Sequence, residues 1–256
     1  MNATSLELPG RQAKPRRRGL TMVIDNGMPT GQLIDVVEST GELIDLLKFG
    51  WGTALVTKDL QRKVDCLRAN GVDYYFGGTL FEKFVSQGRV DEYRRFCQDH
   101  GCRYVEISNG TITLTNLEKA GYVEKFASEF SVLSEVGYKD TARSQELPPV
   151  RWIEYIREDM DAGATLVITE ARESGKSGIC RPDGELRYGL IEEILQAGLD
   201  LDRVVFEAPT KDLQTYFVRR VGPDVNLGNV PPHEVIGLET LRLGLRSDTL
   251  LTWEGT

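Results

Sequence analysis

The sequence predicts a single-domain α/β protein folded as a (β/α)8 barrel of the TIM type. Three observations carry this expectation. From Gly19 onward, short runs rich in Val, Ile, Leu, Phe and Tyr alternate with helical patterns, eight of each. Such alternation implies parallel strands joined by right-handed crossovers, and eight units in roughly 240 residues match the size of that barrel. An open doubly wound sheet is the rival, but no G-x-G-x-x-G or Walker-type loop follows an early strand.

In chain order, the strand candidates begin with "LTMVID" (20 to 25), "LIDLLKFG" (43 to 50), "VDYYFGG" (72 to 78) and "RYVEIS" (103 to 108). "SVLSEVG" (131 to 137), "ATLVITE" (164 to 170), "RVVFEAP" (203 to 209) and "DVNLGN" (224 to 229) complete the set. Most are apolar over their length, as strands covered on both faces should be. Between them, "KDLQRKVDCLRANG" places Leu60, Val64 and Leu67 on one helical face, with Gly71 available to cap the end. Ile153, Ile156 and Met160 form a similar stripe in "PPVRWIEYIREDMDAG", with prolines near the first turn. "KDTARSQELPP" (139 to 149) reads as a long loop rather than a linker. Residues 1–18, ending in "RQAKPRRR", form a basic extension that packs or stays mobile, the other reading being a nucleic-acid or membrane-binding arm, and residues 19–256 form the catalytic barrel.

Composition narrows the function. The 256 residues are 40% hydrophobic and 27% charged, with a formal net charge of -8. Non-specific nucleic-acid binding, which neutralises phosphates with Lys and Arg, is disfavoured. Cys66, Cys97, Cys102 and Cys180 contain no C-x-x-C pair, which argues against a zinc site or a disulfide framework. No stretch approaches a membrane span or a signal peptide, so a cytoplasmic protein is expected. A homo-oligomer is expected because barrel helices often expose surface that copies bury.

In such barrels the active site lies at the C-terminal ends of the strands. Read there, the strands deliver Asp25, Lys48, Glu106, Glu135 with Lys139 just beyond, Glu170 with Arg172, Glu207, and Asn226 with Asn229. The stretch "VITEARESGK" (167 to 176) is one sector of this charged ring and adds Lys176. Taken singly, each member also fits a structural part: Asp25 can cap the "DNGMP" turn, and Glu207 can pair with an arginine. Glu106, Glu135 and Glu170 on neighbouring strands repel one another unless a proton or cation lies between them. A hard divalent ion, preferably Mg2+, suits these oxygens better than zinc does; the alternative is a private Lys or Arg partner for each. Lys48, Lys139, Arg172, Lys176 and Lys211 are available to bind phosphate or carboxylate. Neither His100 nor His233 falls on the rim. Lys139 is the better proton carrier, with a pKa expected to be lowered by burial and neighbouring cations. Lys139 and Lys48 are also Schiff-base candidates, and no G-x-S-x-G elbow is present.

These motifs resemble one family. "LTMVIDNGMP", "DLLKFGWGT", "YFGGTLFE", "VEISNG", "SEVGYKD", "ITEARESGK", "FEAPTK", "VNLGN" and "LETLRLGLRSDT" look, in order, like the phosphosulfolactate synthases. The resemblance implies a (β/α)8 barrel that adds sulfite to phosphoenolpyruvate with Mg2+, giving (2R)-phospho-3-sulfolactate, on the way to coenzyme M or sulfolactate. It implies Glu106, Glu135 and Glu170 as metal ligands and Lys139 as general acid, with Glu135 beside it. Lys48, Arg172 and Lys176 would then hold phosphate or recruit sulfite, with Asp25 and Asn226 orienting them. Two other readings stay open: a non-catalytic barrel like the family's plant heat-stress-associated relatives, and a Schiff-base aldolase.

Overall fold

The structure, a computed structural model, describes residues 5–172 and 174–253. Its eight strands are β1 (Thr21–Asp25), β2 (Leu46–Phe49), β3 (Asp73–Phe76), β4 (Tyr104–Ile107), β5 (Ser131–Val136), β6 (Leu166–Thr169), β7 (Val204–Glu207) and β8 (Asn226–Val230). Each lies in its expected stretch, β8 running one residue beyond. All the ladders are parallel, in the order β3-β2-β1-β8-β7-β6-β5-β4. The sheet is a nearly closed (β/α)8 barrel: β3 and β4 touch across a seam without sharing a ladder.

Among the described residues, ten α-helices surround it: α1 (Thr30–Thr40), α2 (Leu60–Ala69), α3 (Gly78–Ser86), α4 (Val90–Asp99), α5 (Asn116–Ala127), α6 (Thr141–Glu146), α7 (Pro149–Asp161), α8 (Tyr188–Gln196), α9 (Lys211–Val221) and α10 (Val235–Arg242). Two connections therefore carry two helices instead of one: β3 to β4 and β5 to β6. The segment expected as a long loop contains α6, nucleated by Asp140, whose side chain accepts from Arg143 N at 2.9 Å. After β6, the described residues between 171 and 187 instead contain no helix.

Side-chain alternation sets the site. Met22, Leu46, Tyr75, Leu133, Leu166, Ile168 and Val205 fill the barrel interior as one apolar cluster. Two residues further along four of these strands the inward face becomes polar: Lys48 follows Leu46, Glu135 follows Leu133, Glu170 follows Ile168, and Glu207 follows Val205. The barrel is thus plugged with hydrocarbon below and lined with charge above. The opposite strand faces pack against the helices in the larger core layer, including Val23, Leu47, Phe76, Val105, Val167, Phe206 and Trp152.

Residues 5–18 of the basic extension contain no helix or strand; residues 1–4 lie outside the described residues. Arg11 binds Glu239 at 3.0 Å, Asp224 at 3.1 Å and Gly19 O at 2.9 Å, while Lys14 donates to Gly41 O and Ile44 O. The Arg11 side chain is only 2% exposed, so its truncation leaves the largely buried Glu239 without its guanidinium, while Asp224 keeps Arg18. Arg11→Ala is expected to lower unfolding free energy by about 1–3 kcal/mol, read by denaturant titration; an unchanged midpoint would show that the extension adds no stability.

Candidate active site

The inner ends of the strands surround a cavity of about 300 Å³, counting space open to solvent. It is lined by Ile24, Lys48, Trp51, Gly77, Gly78, Thr79, Glu106, Glu135, Lys139, Glu170, Arg172, Glu207 and Asn229. Two ammonium groups sit among its carboxylates. Lys48 Nζ lies 3.0 Å from Glu106, 3.5 Å from Glu207 and 3.6 Å from Glu135. Lys139 Nζ lies 3.0 Å from Glu135, 3.7 Å from Glu170 and 3.9 Å from Glu82.

Backbone donors fix the acids from behind. Gly78 N donates to Glu106 Oε1, Arg172 N to Glu170 Oε1 at 2.6 Å, and Ala171 N to Glu207 Oε2 at 2.8 Å. Asn229 Nδ2 donates to Glu207 Oε1. Residue 78 must be small, because a Cβ there would stand 2.3 Å from Ser108 Oγ and 2.8 Å from Glu106 Oε1. The non-glycine residues with left-handed backbone among those described are Trp51, Arg172 and Asn229. All three line this cavity, and such strain is held where surrounding structure imposes it, commonly at functional sites.

Burial and charge push the carboxylates apart. Burial raises Glu106 to about 7 against the opposing pull of Lys48. Burial would also raise Glu135, but Lys139 and Lys48 outweigh it and hold Glu135 at about 2. Glu170 is raised well above the ordinary range by burial and by Glu135 and Glu207, and burial raises Glu207 as well. Glu170 is thus driven up and Glu135 down, so the two neighbouring carboxylates differ in how readily each ionises.

Against known proteins, residues 9–248 match the family described as (2R)-phospho-3-sulfolactate synthase (ComA). The chain is 52% identical to the phosphosulfolactate synthase of Bacillus subtilis (strain 168), over 97% of this chain and 99% of that one.

The chain belongs to the phosphosulfolactate synthase family.

The family's enzyme from Methanothermobacter thermautotrophicus is 44% identical over 98% of both chains. A plant relative, Protein HEAT-STRESS-ASSOCIATED 32 of Arabidopsis thaliana, is 25% identical over 91% of this chain and 88% of its own. Among solved structures, a 3-hexulose-6-phosphate synthase superposes with a TM-score of 0.55 at 12% identity, covering 87% of this chain and 99% of that one, which speaks to the barrel alone.

Against the roles that the phosphosulfolactate synthase resemblance implies, the structure gathers Lys48, Glu106, Glu135, Lys139, Glu170 and Arg172 around the one cavity, joined by Glu207 and Asn229. Three expected members stand elsewhere. Asp25 faces away from the barrel axis: it accepts from Gly27 N and Met28 N and pairs with the buried Lys63 of α2 at 2.6 Å, the turn-capping role. Its neighbour Ile24 takes the inward position, because successive strand residues alternate. Asn226 opens β8 and so lies at the opposite end of the barrel, bonded to Leu20 N, Asp202 O and Val204 O. Lys176 is exposed and does not line the cavity. Lys211, a further basic candidate, pairs with Asp248 at 2.9 Å. His233 lines an adjoining depression with Asn26, Gly27, Met28 and Asn229.

The expected lowering of the Lys139 pKa is reversed. Burial does press it down, but Glu135, Glu170 and Glu82 outweigh burial and hold the ammonium protonated; carboxylates, and not cations, are its close neighbours. Lys48 is raised for the same reason. Neither lysine has the depressed pKa of a Schiff-base nucleophile.

Sequence reading also missed Glu82, which comes from α3 and not from a strand end. Its place in "GGTLFE", inside a motif block of the phosphosulfolactate synthases, was the available signal.

Glu106 gives a pH prediction. Its folded pKa, near 7, exceeds its ordinary 4.5, so the folded state binds more protons than the unfolded state between these values. Stability contributed at this site is therefore present below about pH 4.5 and falls as pH rises toward 7, by about 3 kcal/mol at roughly 1.4 kcal/mol per unit. In chelator, the melting temperature should decline across that window, and Glu106→Gln should flatten the decline. An equal slope in both proteins would show that Glu106 is not the titrating group.

Proposed function

We propose that this protein catalyses the Mg2+-dependent addition of sulfite to phosphoenolpyruvate, giving (2R)-phospho-3-sulfolactate. The single observation carrying this reading is the Lys139 ammonium, held among carboxylates and facing a cavity that also holds Lys48 and Arg172. That cavity therefore carries a charged proton donor beside cationic groups suited to anionic substrates, in a chain 52% identical to a phosphosulfolactate synthase.

The residues suit a hard divalent cation in their donor chemistry. Glu106 Oε2, Glu135 Oε2 and Glu170 Oε2 are buried carboxylate oxygens that face only ammonium groups, at 3.0 Å and 3.6 Å from Lys48 and 3.7 Å from Lys139, and five carboxylates share these two ammonium groups. No group of three His, Cys, Asp or Glu among the described residues is already disposed as a metal cage; Lys48 and Lys139 occupy the space between. Glu106, Glu135 and Glu170 would hold the ion, which, when bound, supplies positive charge for the carboxylate of the substrate.

The sulfur lone pair of sulfite attacks the methylene carbon, forming the C–S bond. The π electrons of the alkene move toward the phosphate-bearing carbon and its carboxylate. Lys139 delivers a proton to that carbon, closing the C–H bond and leaving a neutral amine that solvent reprotonates. Glu135, ionised and 3.0 Å away, orients the ammonium. Lys48 and Arg172 draw the anionic substrates inward.

Mass spectrometry of purified protein with phosphoenolpyruvate, sulfite and Mg2+ tests the pairing of substrates. The expected product has the mass of the two reactants joined; folded protein yielding no adduct would overturn the assignment.

A further inference from the structure

We infer that Glu82, on α3, is a positioning residue that holds the candidate proton donor Lys139 in place; the inference rests on the reading of Lys139 given above. The Glu82 side chain is 2% exposed and does not line the cavity. Its Oε1 accepts from Ser108 Oγ at 2.5 Å and Gly110 N at 3.1 Å, and its Oε2 from Thr111 N at 2.8 Å and Ile112 N at 3.0 Å. One carboxylate thus satisfies three successive amides and a hydroxyl in the stretch after β4, which has no helix or strand to satisfy them.

That stretch in turn fixes Lys139. Lys139 follows β5 in an irregular turn, so no strand ladder holds it. Its N–H donates to Gly110 O at 3.0 Å, and the Gly110 backbone lies so close that a Cβ there would be 3.3 Å from Lys139 Cγ. From the other side, Ser177 Oγ donates to Tyr138 O at 2.9 Å. Glu82 therefore sets the wall against which the Lys139 stem rests, and its Oε1 stands 3.9 Å from the ammonium itself. Small displacements matter here, because proton transfer demands hydrogen-bond reach of the reacting carbon.

A double-mutant cycle tests this. Glu82→Gln keeps the size but replaces one acceptor oxygen with a donor facing donors. In the wild-type background it is expected to lower kcat by about 10–100-fold with KM values for both substrates within about 3-fold, and in a Lys139→Ala background to add less than about 3-fold. Equal losses in both backgrounds, or an unchanged kcat, would overturn the proposal. Should the amide variant not fold, Glu82→Asp keeps the charge, shortens the reach, and should show the same dependence on Lys139. Amide exchange at Thr111 and Ile112 needs no turnover and separates the two readings. Faster exchange in E82Q alongside an inactive wild type would sink the functional reading alone, whereas unchanged exchange would sink the role of Glu82.

Discussion

Replacing Lys139 with alanine is expected to lower kcat for sulfite addition by about 10²–10⁴-fold, the usual contribution of a positioned general acid. The ammonium lies within 4 Å of Glu135, Glu170 and Glu82, and these outweigh its burial to keep it protonated. A general acid needs that state. The loss should fall on kcat more than on KM, because the proton is transferred only in the transition state. Lys139→Arg separates charge from proton transfer: guanidinium preserves the pairing with Glu135, but its rigid planar fork does not present an N–H at the point the compact ammonium reaches. Both variants should therefore be slow, with the arginine variant melting nearer the wild type. Steady-state kinetics and thermal unfolding check the two halves, and an arginine variant of full activity would assign Lys139 an electrostatic role instead.

Lys119→Met is expected to cost about 3–5 kcal/mol of stability, the range for breaking a buried ion pair by removing one partner. Lys119 of α5 and Asp159 of α7 are both fully buried, 2.6 Å apart, and Ser134 Oγ donates to the same carboxylate oxygen at 2.7 Å. Removing the ammonium leaves Asp159 charged in a hydrocarbon layer. It also removes the donor to Glu135 O, which Lys119 Nζ reaches at 2.8 Å, so the loss is felt on the strand that carries Glu135 into the cavity. Replacing both partners, as Lys119→Met with Asp159→Leu, should recover much of the deficit, because no unpaired charge remains. Urea unfolding of the three proteins decides it: a single variant as stable as the parent would show that the pair is not structural.

Most of the barrel was legible in the sequence because its strands are covered on both faces and read as continuous apolar runs. The doubled connections were less so. Asp140 is an ordinary N-cap residue, and six residues of α6 are too few to show a helical period. At the site, acids on strands were found by position alone, since Glu106, Glu135 and Glu207 each lie in the last half of an apolar run. Position does not fix direction. Asp25 and Glu207 both end their strands, yet the pleat turns the first toward Lys63 and the second into the cavity. Asn226 and Asn229 lie three residues apart at opposite ends of one strand, and only a boundary accurate to one or two residues distinguishes them. Glu82 was legible only through its place in the "GGTLFE" block, because a buried carboxylate in a helix makes no pattern of its own and its partners come from a distant loop.

The most direct measurement runs the reaction in deuterated water, with and without Mg2+, and follows the product by phosphorus NMR and mass. Magnesium-dependent phosphosulfolactate carrying one deuterium on the phosphate-bearing carbon, and none on the sulfur-bearing carbon, is the expected result. Folded protein that forms no product, or deuterium placed on the other carbon, would contradict a site built to add sulfite across the double bond and to protonate its far end from Lys139.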